Sequence, residues 1–312
     1  MSSWIAAATA YSNYGLTMMP FYIFYSMFGF QRIGDIAWAG GDMQARGFLL
    51  GGTAGRTTLN GEGLQHQDGH SHVLASTVPN CISYDPCYAY ELAVIIQDGL
   101  RRMVAERESV FYYITVMNES YVQPPMPDGV AEGILRGIYR LRTHAGDPAK
   151  HVRLLGSGTI LREVERAAEL LCEEHGITVD VYSVTSFNEL AREAQDVERW
   201  NTLHPDEPSR ASYVAEQLAG EAPVIAASDY MKSLAEQIRS QISAPYQVLG
   251  TDGFGRSDTR EALRGFFEVD HRFVALAALK SLADSQKIPV EQVRAARDAM
   301  GIDPDKPNPR LV

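Results

Sequence analysis

Residues 151–184 read HVRLLGSGTILREVERAAELLCEEHGITVDVYSV, and this stretch decides the fold class. Residues 151–155 are predicted to form a strand that ends in the turn Gly156-Ser157-Gly158. Apolar residues then recur at helical spacing, namely Leu161, Val164, Ala167, Ala168 and Leu171. Residues 177–184 are predicted to form the next strand. A strand, a crossover helix and a second strand predict a parallel α/β sheet.

The same alternation continues on both sides of this stretch. Downstream, strands are predicted at 223–227 and 246–250 around a helix at 231–242, and two or three helices close the chain. Upstream, helices are predicted at 4–11, 31–44 and 88–106, with strands at 48–53, 81–84 and 110–117. The aromatic run at 21–25 fits either a buried strand or the start of a helix. We therefore predict two α/β units with parallel sheets.

A proline cluster separates the two units. Pro124, Pro125 and Pro127 are typical of a semi-rigid linker. The sequence therefore predicts one domain over residues 1–127 and a second over residues 128–312.

Composition excludes some classes of function. The formal net charge of −11 opposes binding to nucleic acid and to anionic membrane surfaces. The apolar run at 16–30 is shorter than the roughly 20 residues of a membrane helix, and no basic segment of a signal peptide precedes it. Three cysteines are an odd count that favours a reducing compartment, so a cytoplasmic location is expected.

The densest set of polar residues lies at 51–72, which read GGTAGRTTLNGEGLQHQDGHSH. Its three histidines and two carboxylates suit proton transfer near neutral pH. A metal site is one alternative, although the spacing of its candidate ligands matches no established zinc pattern; these are His66, Asp68, His70 and His72. A solvated loop whose histidines bond the backbone is another, so three interpretations stay open.

Three further motifs have mainly structural interpretations. The turn at 156–158 lacks the third glycine of a dinucleotide fingerprint, so we interpret it as a tight strand–helix turn. In the loop at 251–259, Asp258 is predicted to cap the following helix, with anion binding as the alternative. The aromatic cluster at 22–30 is interpreted as packing within the core rather than a cofactor pocket.

Long stretches of the chain nevertheless resemble one enzyme family. They are PFYIFYSMFGFQRIGD at 20–35, the loop at 55–72, NCISYDP at 80–86, DVYSVTSF at 180–187, GTDGFGRSD at 250–258 and NPRL at 308–311. Together they resemble the homodimeric type of pyruvate dehydrogenase decarboxylase, a thiamine-diphosphate enzyme. The resemblance implies a truncated pyrimidine-binding domain followed by a transketolase C-terminal-like domain.

The resemblance also implies roles for individual residues. Phe28 would stack on the aminopyrimidine ring of thiamine diphosphate, with Tyr25 nearby. His66 would lie over the thiazolium, Glu62 would belong to the same network, and His70 is a weaker candidate. The family decarboxylates pyruvate and passes the two-carbon unit to a lipoyl group of the dihydrolipoyl acetyltransferase. A homodimer is expected.

Some of the family's features are not found in this sequence. The glutamate that activates the cofactor would lie just upstream of Ser3, and the Gly-Asp-Gly module for diphosphate and Mg²⁺ is absent, since Gly41-Asp42-Met43 does not match it. We therefore expect about the last third of the enzyme, inactive without its N-terminal portion and without a metal ligand of its own. A non-catalytic dimerisation fragment and a related transketolase-like enzyme are the alternatives.

Overall fold

A four-stranded parallel sheet forms the first part of the molecule. The computed structural model describes residues 1–312. The first-unit elements are α1 (Ser2–Ala8), α2 (Ala10–Tyr14), β1 (Phe21–Tyr25), α3 (Gly29–Asp42), β2 (Phe48–Gly52), α4 (Ser71–Ala75), β3 (Cys81–Tyr84), α5 (Ala89–Leu100) and β4 (Phe111–Thr115). The strand order is β1-β2-β4-β3, and every pair is parallel.

A five-stranded sheet forms the second part. Its elements are α6 (Ala131–Arg136), β5 (Ile138–His144), β6 (Asp147–Gly156), α7 (Leu161–His175), β7 (Ile177–Val184), α8 (Phe187–Leu203), α9 (Tyr213–Gln217), β8 (Val224–Ala227), α10 (Ser233–Glu236), β9 (Tyr246–Leu249), α11 (Arg260–Phe266), α12 (His271–Asp284) and α13 (Val290–Ala299). The order is β5-β7-β6-β8-β9. The strands β6 to β9 pair in parallel, whereas β5 runs antiparallel to β7.

Burial explains why the strands read as apolar runs. All five residues of β4 are buried, because β4 lies between β2 and β3 and helices cover the two faces of a parallel sheet. The apolar stripe of α7 packs on the second sheet through buried residues that include Leu161, Val164 and Leu171. The predicted α/β class and its parallel sheets are confirmed. The predicted boundary between residues 127 and 128 lies in the segment between the two sheets and stays a prediction.

Three local predictions need correction, and two elements were not predicted. The edge strand β5 and the helix α8 were not predicted, and β5 is antiparallel. The predicted helix at 231–242 is broken into α10 and a short 3₁₀ turn, Arg239–Gln241. The N-cap of α11 is Thr259, whose hydroxyl accepts from the backbone N–H of Ala262, and not Asp258. The helix at 88–106 ends as an α-helix at Leu100 and continues as one π turn.

The carboxyl ends of the two sheets meet. The backbone carbonyl of Asp85, just after β3, accepts from the backbone N–H of Gly158, which follows β6, at 3.0 Å. The backbone N–H of Asp85 donates to the carbonyl of Thr185, which follows β7, at 2.8 Å. Ligands of parallel α/β proteins bind at the carboxyl ends of strands, so this junction is where a site is expected. No helix of the chain has the length and apolar character that crossing a membrane requires.

Candidate active site

An aromatic surface forms where β1 ends. Tyr25 is the last residue of β1, and the 3₁₀ turn Ser26–Phe28 brings Phe28 beside it, with ring centroids 6.0 Å apart. The guanidinium of Arg32, one turn into α3, lies 4.2 Å from the centroid of the Phe28 ring. Tyr25 is 45% exposed, while Phe30 is buried in the core. The interpretation of the cluster as core is therefore right for Phe30 and wrong for Tyr25.

The tip of the polar loop carries an imidazole–carboxylate pair against this surface. His66 Nδ1 lies 3.4 Å from Glu62 Oε2. The His66 ring meets the ring of Phe28 edge-on at 5.2 Å and that of Tyr25 at 6.2 Å. Gly61 and Gly63 have φ angles of +76° and +89°, which allow the tight reversal that returns His66 to Glu62. The structure thus brings together all four residues to which a role was assigned.

The other loop candidates lie elsewhere. His70 lines a cavity of about 500 Å³ together with Arg56 and Asp252. The carboxylate of Asp68 accepts from the backbone N–H groups of His70 and Ser71, so it caps the start of α4. No three histidine, cysteine or acidic side chains are grouped so that they could hold a metal ion. The loop histidines therefore act separately rather than as one ligand set.

The sequence did not reveal a buried polar chain at the junction of the sheets. His72 Nε2 lies 2.9 Å from the hydroxyl of Thr115, which in turn donates to Asp85 Oδ1 at 2.6 Å. Burial lowers the pKa of His72 to about 4 and raises the pKa of Asp85 to about 7. A neutral His72 then donates from Nε2 to Thr115. The only signal in the sequence is that Thr115 and Asp85 stand at the ends of strands.

The base of the loop is buried against the second unit. Thr57 and Thr58 are fully buried, and both bond the carboxylate of Asp229, which follows β8. Gln67, also fully buried, donates to the carbonyl of Leu59 at 2.7 Å. The interpretation as a solvated loop is therefore wrong for this part, and only the tip around Glu62 is exposed.

Comparison with known proteins identifies the same two units. Residues 1–124 match the family model of the pyruvate dehydrogenase E1 component middle domain. Residues 137–270 match the transketolase-like TK C-terminal domain. The pyruvate dehydrogenase E1 component of Pseudomonas aeruginosa is 64% identical over 311 residues, which are 99% of this chain and 35% of the relative.

Solved structures show the same fold at low identity. A transketolase from Campylobacter jejuni has a TM-score of 0.63 at 17% identity, covering 88% of this chain and 38% of that one. A split-gene transketolase, described as an inactive beta4 tetramer, has a TM-score of 0.62 at 18% identity, covering 90% of this chain and 81% of that one.

The fold is that of a transketolase-like α/β protein. Within that class, the chain belongs to the pyruvate dehydrogenase E1 component family. It spans about 35% of the length of the curated relative from Pseudomonas aeruginosa.

Proposed function

We propose that the chain works as part of a pyruvate dehydrogenase E1 enzyme, which decarboxylates pyruvate and passes the acetyl unit to a lipoyl group of the dihydrolipoyl acetyltransferase. The observation that carries the proposal is the His66–Glu62 pair, at 3.4 Å, set against the rings of Tyr25 and Phe28. The 64% identity to a pyruvate dehydrogenase E1 component supports the choice of pyruvate over other substrates of transketolase-like enzymes.

The aromatic surface suits a planar heterocycle such as the aminopyrimidine of thiamine diphosphate. Phe28 is half-buried and Tyr25 is 45% exposed, so both offer ring surface to a ligand. The chain offers no cluster of acidic side chains for Mg²⁺, so the diphosphate and its metal would require residues outside it. When bound, thiamine diphosphate supplies the nucleophilic carbon and the electron sink for decarboxylation.

The chain's own contribution is to position and move a proton. Glu62 faces Nδ1 of His66 and favours the tautomer with its proton on that nitrogen. Nε2 makes no hydrogen bond within the chain, so it is free to exchange a proton with substrate. The edge contact with Phe28 restricts the orientation of the imidazole. His66 is thus the proposed acid–base group, and Glu62 orients it.

An assembly role is the second candidate, and one observation favours it. The edge strand β1 exposes Phe21, Ile23 and Tyr25 on one face, with Ile23 at 68%. An unpaired apolar edge of this kind suits association with another chain. Homodimerisation through this unit is compatible with catalysis. Three free cysteines are consistent with a cytoplasmic site of action.

A chimera tests the proposal. This chain replaces the matched segment of the Pseudomonas aeruginosa relative, which otherwise stays intact. Calorimetry with thiamine diphosphate and Mg²⁺, then pyruvate decarboxylation and lipoyl acetylation, are measured for the chimera and for the chain alone. We expect binding and turnover in the chimera, with pyruvate preferred over a sugar phosphate. A folded chimera that binds cofactor without turnover supports the assembly role instead.

A further inference from the structure

One carboxylate of the second unit holds the base of the catalytic loop. Asp229 Oδ1 accepts from the backbone N–H of Thr57 at 2.8 Å and from its hydroxyl at 2.7 Å. Oδ2 accepts from the backbone N–H of Thr58 at 3.1 Å and from its hydroxyl at 2.6 Å. Asp229 is only 2% exposed, so these four donors take the place of water around its charge.

The loop backbone at Gly55 packs directly against this carboxylate. Gly55 has a φ of +90°, and a Cβ at this position would overlap Asp229 Oδ2. The backbone N–H of Arg56 also donates to the carbonyl of Asp229, at 3.3 Å. Three consecutive residues after Gly55 therefore bond one residue of the second unit.

The bonds of Asp229 to Thr57 and Thr58 form an anchor for the loop, and the tip that carries the proposed catalytic pair begins directly beyond it. Thr58 and Glu62 are four residues apart, and the backbone N–H of Gly61 donates to the carbonyl of Asp258 at 3.1 Å. On the returning side, Gln67 accepts from the backbone N–H of Arg256 at 2.6 Å. Every one of these partners belongs to the second unit, whereas the ring of Phe28 belongs to the first. The distance from His66 to Phe28 thus depends on how the second unit holds the loop.

We infer that Asp229 is a positioning residue: by fixing Thr57 and Thr58 it holds Glu62 and His66 against the aromatic surface of Tyr25 and Phe28. This inference rests on the proposed function. It gives the second unit a part in the reaction, although none of its side chains belongs to the site. Misplacement of reacting groups by about 1 Å can slow a reaction about 100-fold, so the anchor can control turnover without touching substrate.

Asp229→Asn in the chimera tests the inference. The amide keeps the volume of the side chain but replaces an acceptor oxygen with an NH₂ group that faces donors. We expect kcat to fall about 10- to 100-fold, while the Kd for thiamine diphosphate stays within about twofold. Amide hydrogen exchange in residues 56–66 should become about tenfold faster or more, because the anchor no longer closes the loop.

A matched control removes a different contact between the units. Arg192, on α8, donates to the backbone carbonyls of Ser76, Val78 and Cys81, outside the loop. Arg192→Ala should leave kcat and exchange in residues 56–66 near the wild-type values. If Asp229→Asn does not fold, Thr57→Val removes a single hydroxyl donor and should still lower kcat by a few fold.

Several outcomes would overturn the inference. One is an active chimera whose Asp229→Asn variant keeps wild-type kcat and exchange. Another is an equal loss of kcat with Arg192→Ala, which would indicate general docking of the units. An inactive wild-type chimera would instead reject the proposed function. In that case, amide hydrogen exchange in residues 56–66 of the chain alone still tests whether Asp229 holds the loop. Faster exchange in the Asp229→Asn variant supports this role, and unchanged exchange overturns it.

Discussion

His66 Nδ1 lies 3.4 Å from Glu62 Oε2, on an exposed loop tip whose base is fully buried. A catalytic pair must reach substrate, so it needs solvent access, yet it also needs a fixed position. The loop satisfies both needs because its base is fixed by buried hydrogen bonds and only the tip, residues 60–66, projects. Substitutions in the tip should therefore change catalysis with little effect on folding.

Replacing His66 is the most direct test of whether the loop tip acts in catalysis rather than in folding. In the chimera, His66→Ala should lower kcat about 100-fold or more, because a positioned acid–base group contributes on that order. Glu62→Gln keeps the size of the side chain and should lower kcat by less. Gln65→Ala, an exposed change on the same tip, serves as the control. Steady-state kinetics and the unfolding midpoint are measured together. Unchanged kcat in His66→Ala would remove this residue from the mechanism.

Phe28 should contribute to cofactor binding rather than to proton transfer. Phe28→Ala removes the ring surface beside Tyr25, and the Kd for thiamine diphosphate should rise about tenfold, the effect of losing roughly 1.4 kcal/mol. Phe28→Leu keeps apolar volume without a flat ring, so its Kd for thiamine diphosphate should lie between those of the wild type and Phe28→Ala. Calorimetry with Mg²⁺ present measures both variants. Equal affinity in all three proteins would mean that Phe28 only packs the core.

Local patterns and the family resemblance predicted much of this molecule. The strands β2, β3, β4 and β8 are short, largely apolar and mostly buried, and burial on both faces makes such runs easy to recognise. Edge strand β5 was missed because its sequence, IYRLRTH, is half polar, as suits a strand with solvent on one side. The predicted continuous helix at 231–242 was wrong, because this segment forms only the short helix α10 and a 3₁₀ turn at Arg239–Gln241.

The site was predicted only in part, for a physical reason. The four tip and aromatic residues lie on segments that the resemblance covers, so a role could be proposed for each of them, residue by residue. The buried anchor joins Thr57 to Asp229, 172 positions apart, and no local period reports such a pair. Likewise, Thr115 and Asp85 are 30 positions apart. Hydrogen bonds between distant buried groups become visible only when the fold is known.

Gly55 offers a stability test of the anchor without kinetics. Gly55→Ala adds a methyl group that overlaps Asp229 Oδ2, at a backbone φ of +90°. Gly176→Ala is the matched control, since its φ is +64° but nothing lies within 4 Å of the added Cβ. We expect the control to cost about 1 kcal/mol of unfolding free energy and Gly55→Ala about 1–3 kcal/mol more. If denaturant titrations give equal losses of unfolding free energy for Gly55→Ala and Gly176→Ala, the loop backbone shifts to accommodate the methyl group.

Asp85 should make stability depend on pH in a defined direction. Burial raises its pKa from 3.8 to about 7 in the folded chain, so the folded state binds more protons than the unfolded state between these values. The stability that Asp85 contributes is therefore fully present below about pH 4 and is lost as the pH rises to about 7. Asp85→Asn cannot titrate. The unfolding free energy of the wild type minus that of Asp85→Asn should fall over this range by at most about 1.4 kcal/mol per pH unit, then level off.

The neighbouring His72 makes stability depend on pH in the opposite direction to Asp85. Its pKa is lowered to about 4, so its contribution is lost as the pH falls from about 6.5 to about 4. Because His72 is present in both proteins, its own titration largely cancels in the difference, and the trend belongs to Asp85. Ser76→Ala, which removes a hydroxyl bonded to the carbonyl of Val73, should shift the unfolding free energy equally at every pH. A flat difference between the wild type and Asp85→Asn from pH 4 to pH 7 would mean that Asp85 keeps its ordinary pKa, and that the polar chain through Thr115 stabilises its charge despite burial.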